Sequence, residues 1–224
     1  MDHKVIAIDG PAGAGKSTIA KRLADILGYT YIDSGAMYRA ITLKVLRENI
    51  PLKELNRIIC MAGETAIDFR DNCIYLDGRA VDAEIREEDV NRNVSYVAAI
   101  PEVRKLMVSL QRKVSADKNV VMDGRDVGTV IFPSADIKFY ITASVCERAE
   151  RRYKELKQKG YDAEIQDIKA QIKKRDHIDS TRSESPLTVA SDAITIDTTG
   201  KSIEEVLDIV ISNIEAKGRS IDAV

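Results

Sequence analysis

The chain has 224 residues, 44% of them hydrophobic, which suits one globular domain with a substantial core. Charged residues make up 31% of it, yet the net charge is only −2, which argues against nucleic-acid binding by the surface as a whole and leaves room for local basic clusters. Three scattered cysteines (Cys60, Cys73, Cys146), two histidines and no C-x-x-C argue against a disulfide framework or a Cys/His zinc site, and point to a reducing compartment. No stretch approaches the ~20 apolar residues of a membrane span, so a soluble cytoplasmic protein without membrane or nucleic-acid partners is expected.

In chain order, Val5-Ile6-Ala7-Ile8 reads as a short buried strand. Gly10-Pro11-Ala12-Gly13-Ala14-Gly15-Lys16-Ser17-Thr18 follows, and fits G-x-x-x-x-G-K-[ST]. Glycines let backbone N–H groups converge on a triphosphate. Lys16 adds charge for the β- and γ-phosphates, and the Ser17 hydroxyl can ligate Mg²⁺. Ile19, Leu23, Ile26 and Leu27 recur at helical spacing up to a stop at Gly28, so the loop lies between a strand and a helix, as ATP binding requires.

Tyr29–Ile32 predicts a second strand, and helices are expected from about Ala36 to Glu48 and from Leu52 to Ala62. Thr65–Asp82 then alternates and turns, which predicts a small antiparallel insertion separate from the main sheet, with a turn at Arg70-Asp71-Asn72. A helix over Glu87–Ala99 is broken or restarted at Pro101. Glu102–Ser115 places Val103, Leu106, Met107, Leu110 and Val114 on one face and leaves Arg104 and Arg112 off it. Asn119–Asp123, Ile137–Ile141 and Ala193–Asp197 complete a set of strands alternating with helices, the pattern of a doubly wound parallel sheet with ligands at strand C-termini. Ser202-Ile203-Glu204-Glu205 is a capping box opening a last helix with Ile203, Val206, Leu207, Val210, Ile211 and Ile214 on its core face.

Phosphoryl transfer is mostly positioning and charge stabilisation, so the arginines matter next. Arg148, Arg151 and Arg152 fall at helical spacing, and Arg175, Asp179 and Arg182 share one face if their helix continues. The lysine-rich stretch Lys154–Lys174 between them reads as a solvated, mobile lid. The scarcity of histidine weakly favours an acceptor that is already ionised, such as a phosphate, whose second pKa is about 6. In Asp123-Gly124-Arg125-Asp126-Val127-Gly128-Thr129-Val130-Ile131-Phe132-Pro133, a carboxylate beside an arginine follows a strand end. A carboxylate can accept from the exocyclic amine of cytosine, whereas uracil would present a carbonyl; a turn held by a local ion pair is the plainer alternative. A kinase for another small acceptor remains open, as does a nucleotide switch. For the latter N-K-x-D is absent, and the D-x-x-G at Asp197–Gly200 lies after the last strand, far from the loop.

With these runs in view the chain resembles the bacterial-type cytidylate kinases (CMP kinases) over essentially its full length. The resemblance rests on Ile8–Thr18, Asp33-Ser34-Gly35-Ala36-Met37-Tyr38-Arg39, Asp123–Pro133, and Arg175-Asp176 with Asp179 and Arg182. It implies an α/β P-loop nucleoside monophosphate kinase with a five-stranded parallel sheet flanked by helices. Residues 1–224 would form a single kinase domain, with an NMP-binding region at about 36–115, its hairpin insertion at about 63–86, and a lid at about 148–183. The implied reaction is transfer of the γ-phosphoryl of ATP to CMP or dCMP with Mg²⁺, in pyrimidine nucleotide metabolism; since nothing in the sequence demands a partner chain, a monomer is expected. Gly10 to Thr18 would bind ATP, with Ser17 toward the metal. Ser34, Arg39, Ser95, Arg104, Arg125, Asp126, Arg175, Asp179 and Arg182 would bind CMP, and Lys16, Arg125, Arg175 and Arg182 would be catalytic.

Overall fold

The computed structural model describes residues 3–70, 73–158 and 160–221. The main sheet contains β1 (Val5–Asp9), β2 (Thr30–Asp33), β6 (Val120–Asp123), β7 (Ile137–Thr142) and β8 (Ile194–Asp197), all parallel in the order β2-β6-β1-β7-β8. The central strands β1 and β6 are short and apolar because both faces are covered, whereas Thr195 and Asp197 of the edge strand β8 are exposed. Ile6, Ile8, Phe139 and Ile141 point to one face, where α1 (Lys16–Leu27) and α8 (Ile203–Ile221) pack, while Ala7, Ile32, Val120 and Met122 fill the other. This is the α/β architecture expected, and β1 and β6, central neighbours, both end at the site.

A second core lies in α2 (Ser34–Arg47), α3 (Leu55–Glu64), α4 (Glu88–Ala98) and α5 (Pro101–Val114), centred on Met37, Ile41, Ile58, Val97 and Val103. It also covers a separate antiparallel sheet of β3 (Ile67–Arg70), β4 (Cys73–Leu76) and β5 (Arg79–Ala80), so the insertion is distinct from the main sheet as its alternation predicts, with one strand more than the pattern shows. The turn expected at 70–72 lies largely outside the described residues. Pro101 restarts the chain as the first residue of α5, where its missing N–H costs nothing.

Three details depart from the helical patterns. Leu106 is 39% exposed, and the buried stripe of α5 runs instead through Val103, Arg104, Met107 and Gln111, so Arg104, placed off the apolar face by pattern, is 1% exposed. Ile26 is 57% exposed, because Ala20, Leu23 and Ala24 form the centre of the face that α1 lays on the sheet. Ile203, at the exposed first turn of α8, is 41% exposed. Its capping box is present: Ser202 N donates to Glu205 Oε2 at 2.7 Å and Glu205 N to Ser202 Oγ at 3.2 Å.

The lysine-rich stretch Lys154–Lys174 is mostly exposed, as its composition predicts, and it is largely helical. α6 (Val145–Gln158) and α7 (Ile165–Thr181) pair around Ala149, Ile168 and Ile172, backed by Tyr153 and Leu156. α7 stops at Thr181, so Arg182 does not share its helical face; it follows as an extended cap residue, held by Arg182 Nε donating to Ser185 O.

Candidate active site

The loop between β1 and α1 begins where Gly10 runs against the Ile141 carbonyl so closely that no Cβ would fit, at a φ of +142°. Lys16, the first residue of α1, is buried and donates to Pro11 O at 2.8 Å. Burial, then the positive Arg125, pull its pKa down to about 7, against Asp123 and Asp9. The loop is braced from behind: Thr198 Oγ1 donates to Ala14 O at 3.1 Å, and Arg148 Nη1 to Ala12 O while gripping Asp176 on α7 with two bonds.

At the end of β6, the Asp123 carboxylate accepts from Ser17 Oγ at 2.8 Å and from Tyr31 OH at 2.7 Å. Burial and the neighbouring Asp33 raise its pKa. Asp33 caps α2 by accepting from Ala36 N and pairs with Arg39 at 2.5 Å. Burial works to raise Asp33, but Arg39 and Arg86 outweigh it and hold the carboxyl below its usual range. Sequence reasoning assigned no role to Tyr31, Asp33 or Asp123 individually. The strand-end position of the two aspartates was the available signal; Tyr31 offered none.

All nine residues assigned to the acceptor, Ser34, Arg39, Ser95, Arg104, Arg125, Asp126, Arg175, Asp179 and Arg182, line one cavity of about 170 Å³ together with Ala12, Gly13, Lys16 and Ser17. Gly10, Pro11, Ala14, Gly15 and Thr18 complete the loop outside that lining. Tyr38, which pattern placed only on a helix, lines the cavity as well, with the Arg104 guanidinium 5.1 Å from its ring centre.

Arg125 and Asp126 do not pair with each other. Arg125 Nε donates to Asp179 Oδ2 at 2.9 Å, and Asp126 is gripped by Arg104 with Arg182 at 3.7 Å. Adjacent residues on a bent backbone project to different sides, so the local ion pair is replaced by two long-range ones. Among the described residues Arg39 Nε, Arg104 Nε, Arg175 Nε and Arg182 Nη2 are buried without a hydrogen-bond partner. Burial, then Arg125, lower Arg175 to about 10. Crowding so many guanidinium groups beside one cavity is unfavourable unless an anion offsets it.

The oxygen set of Ser17 and Asp123, with Asp33 nearby, suits a hard cation such as Mg²⁺. Among the described residues no group of three or more His, Cys, Asp or Glu could hold a metal, which leaves room for phosphate oxygens to complete the coordination. No helix among them is long and apolar enough to cross a membrane.

Among solved structures, a gluconokinase from Sinorhizobium meliloti 1021 covers 97% of this chain and 95% of its own, with a TM-score of 0.53 at 12% identity, a likeness of fold alone. A cytidylate kinase from Caldanaerobacter subterraneus is 56% identical over 205 residues, 92% of each chain. One from Clostridioides difficile is 52% identical over 214 residues, 96% of this chain and 99% of its own. The family model described as cytidylate kinase matches residues 6–216, a span containing the phosphate loop and all nine acceptor-cavity residues. The chain therefore has a P-loop kinase fold and belongs to the cytidylate kinase family, the nucleoside monophosphate kinases that act on cytidylate.

Proposed function

We propose that this protein transfers the γ-phosphoryl group of ATP to CMP or dCMP, giving ADP and CDP or dCDP. One observation carries the reading: the phosphate-loop residues Lys16 and Ser17 and a crowd of guanidinium groups line the same cavity, so two anions can be held end to end. Gly10 to Thr18 cradle the triphosphate, with Lys16 on its tail. Ser17 and Asp123 hold Mg²⁺, which when bound neutralises charge on the transferring phosphate.

Arg39, Arg125, Arg175 and Arg182 surround the acceptor phosphate, and Asp179 keeps Arg125 in place. The CMP phosphate is largely ionised at neutral pH, with a second pKa of about 6, so no general base is required. An acceptor phosphate oxygen attacks the γ-phosphorus while the bond to the β,γ-bridging oxygen breaks, and Lys16, Arg125, Arg175 and Arg182 offset the repulsion between the two anions. Asp126, held by Arg104, accepts from the cytosine amine, with Ser95 beside it and Ser34 nearer the sugar and phosphate.

In this reading residues 1–224 are one kinase domain, about 36–115 bind the monophosphate and about 148–183 act as the lid. The enzyme works as a cytoplasmic monomer on small molecules. An ADP-release assay over CMP, dCMP, UMP and AMP tests it. Asp126→Ala is expected to reduce the preference for CMP over UMP by about 100-fold or more, since a site built for a polar partner rejects the wrong one strongly. An unchanged ratio would remove the base-reading role, and no transfer to CMP by the unmodified enzyme would remove the function.

A further inference from the structure

Asp9 stands immediately before the phosphate loop, and nothing in the mechanism uses its side chain. Its backbone is fixed from both sides: the β1–β6 ladder pairs Ile8 with Asp123, and the β1–β7 ladder pairs Asp9 with Tyr140. Gly10 is pinned against Ile141 by close approach. The donor loop therefore starts from a position that does not need the Asp9 carboxylate.

That carboxylate, 5% exposed, turns across the sheet end instead. Its Oδ1 accepts from Val127 N at 2.8 Å and its Oδ2 from Gly128 N at 2.7 Å. These are the two amides that follow Asp126, at the start of a π-helical turn over Val127–Ile131. The space around them is closed. A Cβ on Gly128 would lie 3.0 Å from the Lys138 side chain and 3.4 Å from Asp9 Oδ2. Lys138 is itself committed to Pro133 O and Asp192. Further out, Gly124 N donates to Ile8 O at 2.9 Å, so β1 holds the 124–128 loop at both ends.

We infer that Asp9 is a positioning residue that registers the Arg125–Asp126 loop against the phosphate loop, and so sets nucleobase discrimination without touching either nucleotide. This rests on the CMP kinase reading above. Two charge-assisted bonds to consecutive amides fix both the position and the rotation of the peptide after Asp126. One bond would fix only its position. Asp126 must meet the base at hydrogen-bond distance from that peptide, and a displacement of about 1 Å is enough to lose the contact. Burial pushes the Asp9 pKa up to about 6, with Asp126 adding to the rise and the two amides and Lys16 opposing it, so an assay at pH 8 keeps the group ionised.

The test is Asp9→Asn, nearly isosteric, whose amide presents an N–H to one of the two backbone N–H groups. At pH 8 the CMP-over-UMP ratio of kcat/KM is expected to fall about tenfold or more and KM for CMP to rise by a similar factor. Affinity for a fluorescent ATP analogue stays within about twofold, because the donor loop is held by the backbone. An unchanged ratio, or equal weakening of ATP and CMP, overturns the inference. If Asp9→Asn does not fold, Gly128→Ala presses on the same contact from the other side and is expected to lower the ratio about threefold or more; a wild-type ratio there also overturns it. If the unmodified enzyme transfers nothing to CMP, the functional reading alone has failed. Amide hydrogen exchange then decides the role of Asp9: loss of protection at Val127 and Gly128 with Ile19 and Leu23 unchanged supports it, and full protection in Asp9→Asn overturns it.

Discussion

The proposed donor loop and the proposed acceptor cavity meet at Lys16 but are built by opposite means. Gly10 to Thr18 is one continuous run whose recognition groups are consecutive backbone amides, positioned by a strand end and a helix start. The acceptor cavity takes Arg39 from α2, Ser95 from α4, Arg104 from α5, the Arg125–Asp126 pair from the loop after β6, and Arg175 and Asp179 from α7, with Arg182 just beyond it. In the first, function resides in a local conformation. In the second it resides in buried charges that hold one another and so also hold the fold. Changes in the two regions should therefore fail differently.

The largest expected effect is Arg104→Met. Arg104 donates to Asp126 and to Ala98 O and lies over Tyr38, all in the interior. Removing it leaves the Asp126 carboxylate buried with only the more distant Arg182 beside it, which should cost about 3–5 kcal/mol in urea unfolding. A loss under about 1 kcal/mol would mean that water enters and the cavity is not a structural charge cluster.

Lys16→Met is the contrasting case. Lys16 is as buried, but its environment opposes its charge, as a pKa lowered to about 7 records. Removing it should leave stability within about 1 kcal/mol while kcat falls by about 10²–10³, the loss of a preorganised charge on the transferring group. Large destabilisation here would erase the distinction between the two regions.

That distinction also explains what was legible beforehand. The phosphate loop, the strands around it and the Ser202–Glu205 cap are signals carried by neighbours in sequence, and spacing alone exposes them. Of the nine acceptor-cavity residues, Arg125, Asp126, Arg175, Asp179 and Arg182 stand out by local pattern; Ser34, Arg39, Ser95 and Arg104 enter through family resemblance, and pattern alone places Arg104 off the buried face of its helix. Its burial depends on Asp126, 22 residues away, and on a tyrosine ring from another helix. Arg182 is expected to continue a helix that ends before it, and the exposed, lysine-rich Lys154–Lys174 hides the few apolar residues that pair α6 with α7. In each case the missing information was a tertiary partner.

The lowered pKa of Lys16 gives a smaller effect confined to the donor side. Above about pH 7 the free amine is largely neutral, and a bound triphosphate favours the ammonium. ATP binding at pH 8 should take up close to one proton, and below about pH 6 almost none, since Lys16 is then already charged. Calorimetry in buffers of different ionisation enthalpy reads this directly. Equal uptake at both pH values, or none at pH 8, would show that Lys16 keeps an ordinary pKa and that the loop does not oppose its charge.

The smallest effect tests where the two regions join. Tyr31 and Ser17 each donate to one oxygen of Asp123, so the carboxylate beside the phosphate loop is oriented from the strand β2 as well as from the loop itself. Burial, then the negative Asp123 and Asp33, raise the Tyr31 pKa far above the ordinary phenol value, so the group stays a donor at any working pH. Tyr31→Phe deletes one donor from a buried carboxylate and keeps the ring, under which Lys21 lies 5.5 Å from the centre. The cost should be about 1 kcal/mol in unfolding, the net value of one hydrogen bond, with a few-fold weaker dependence on added Mg²⁺ because Asp123 can rotate. CMP affinity without metal should not change, since Tyr31 itself does not line the acceptor cavity and reaches it only through Asp123. A loss of metal-free CMP affinity of about tenfold or more in Tyr31→Phe would mean that the two halves are one charge network, and that their separation into a local loop and an assembled cavity is false.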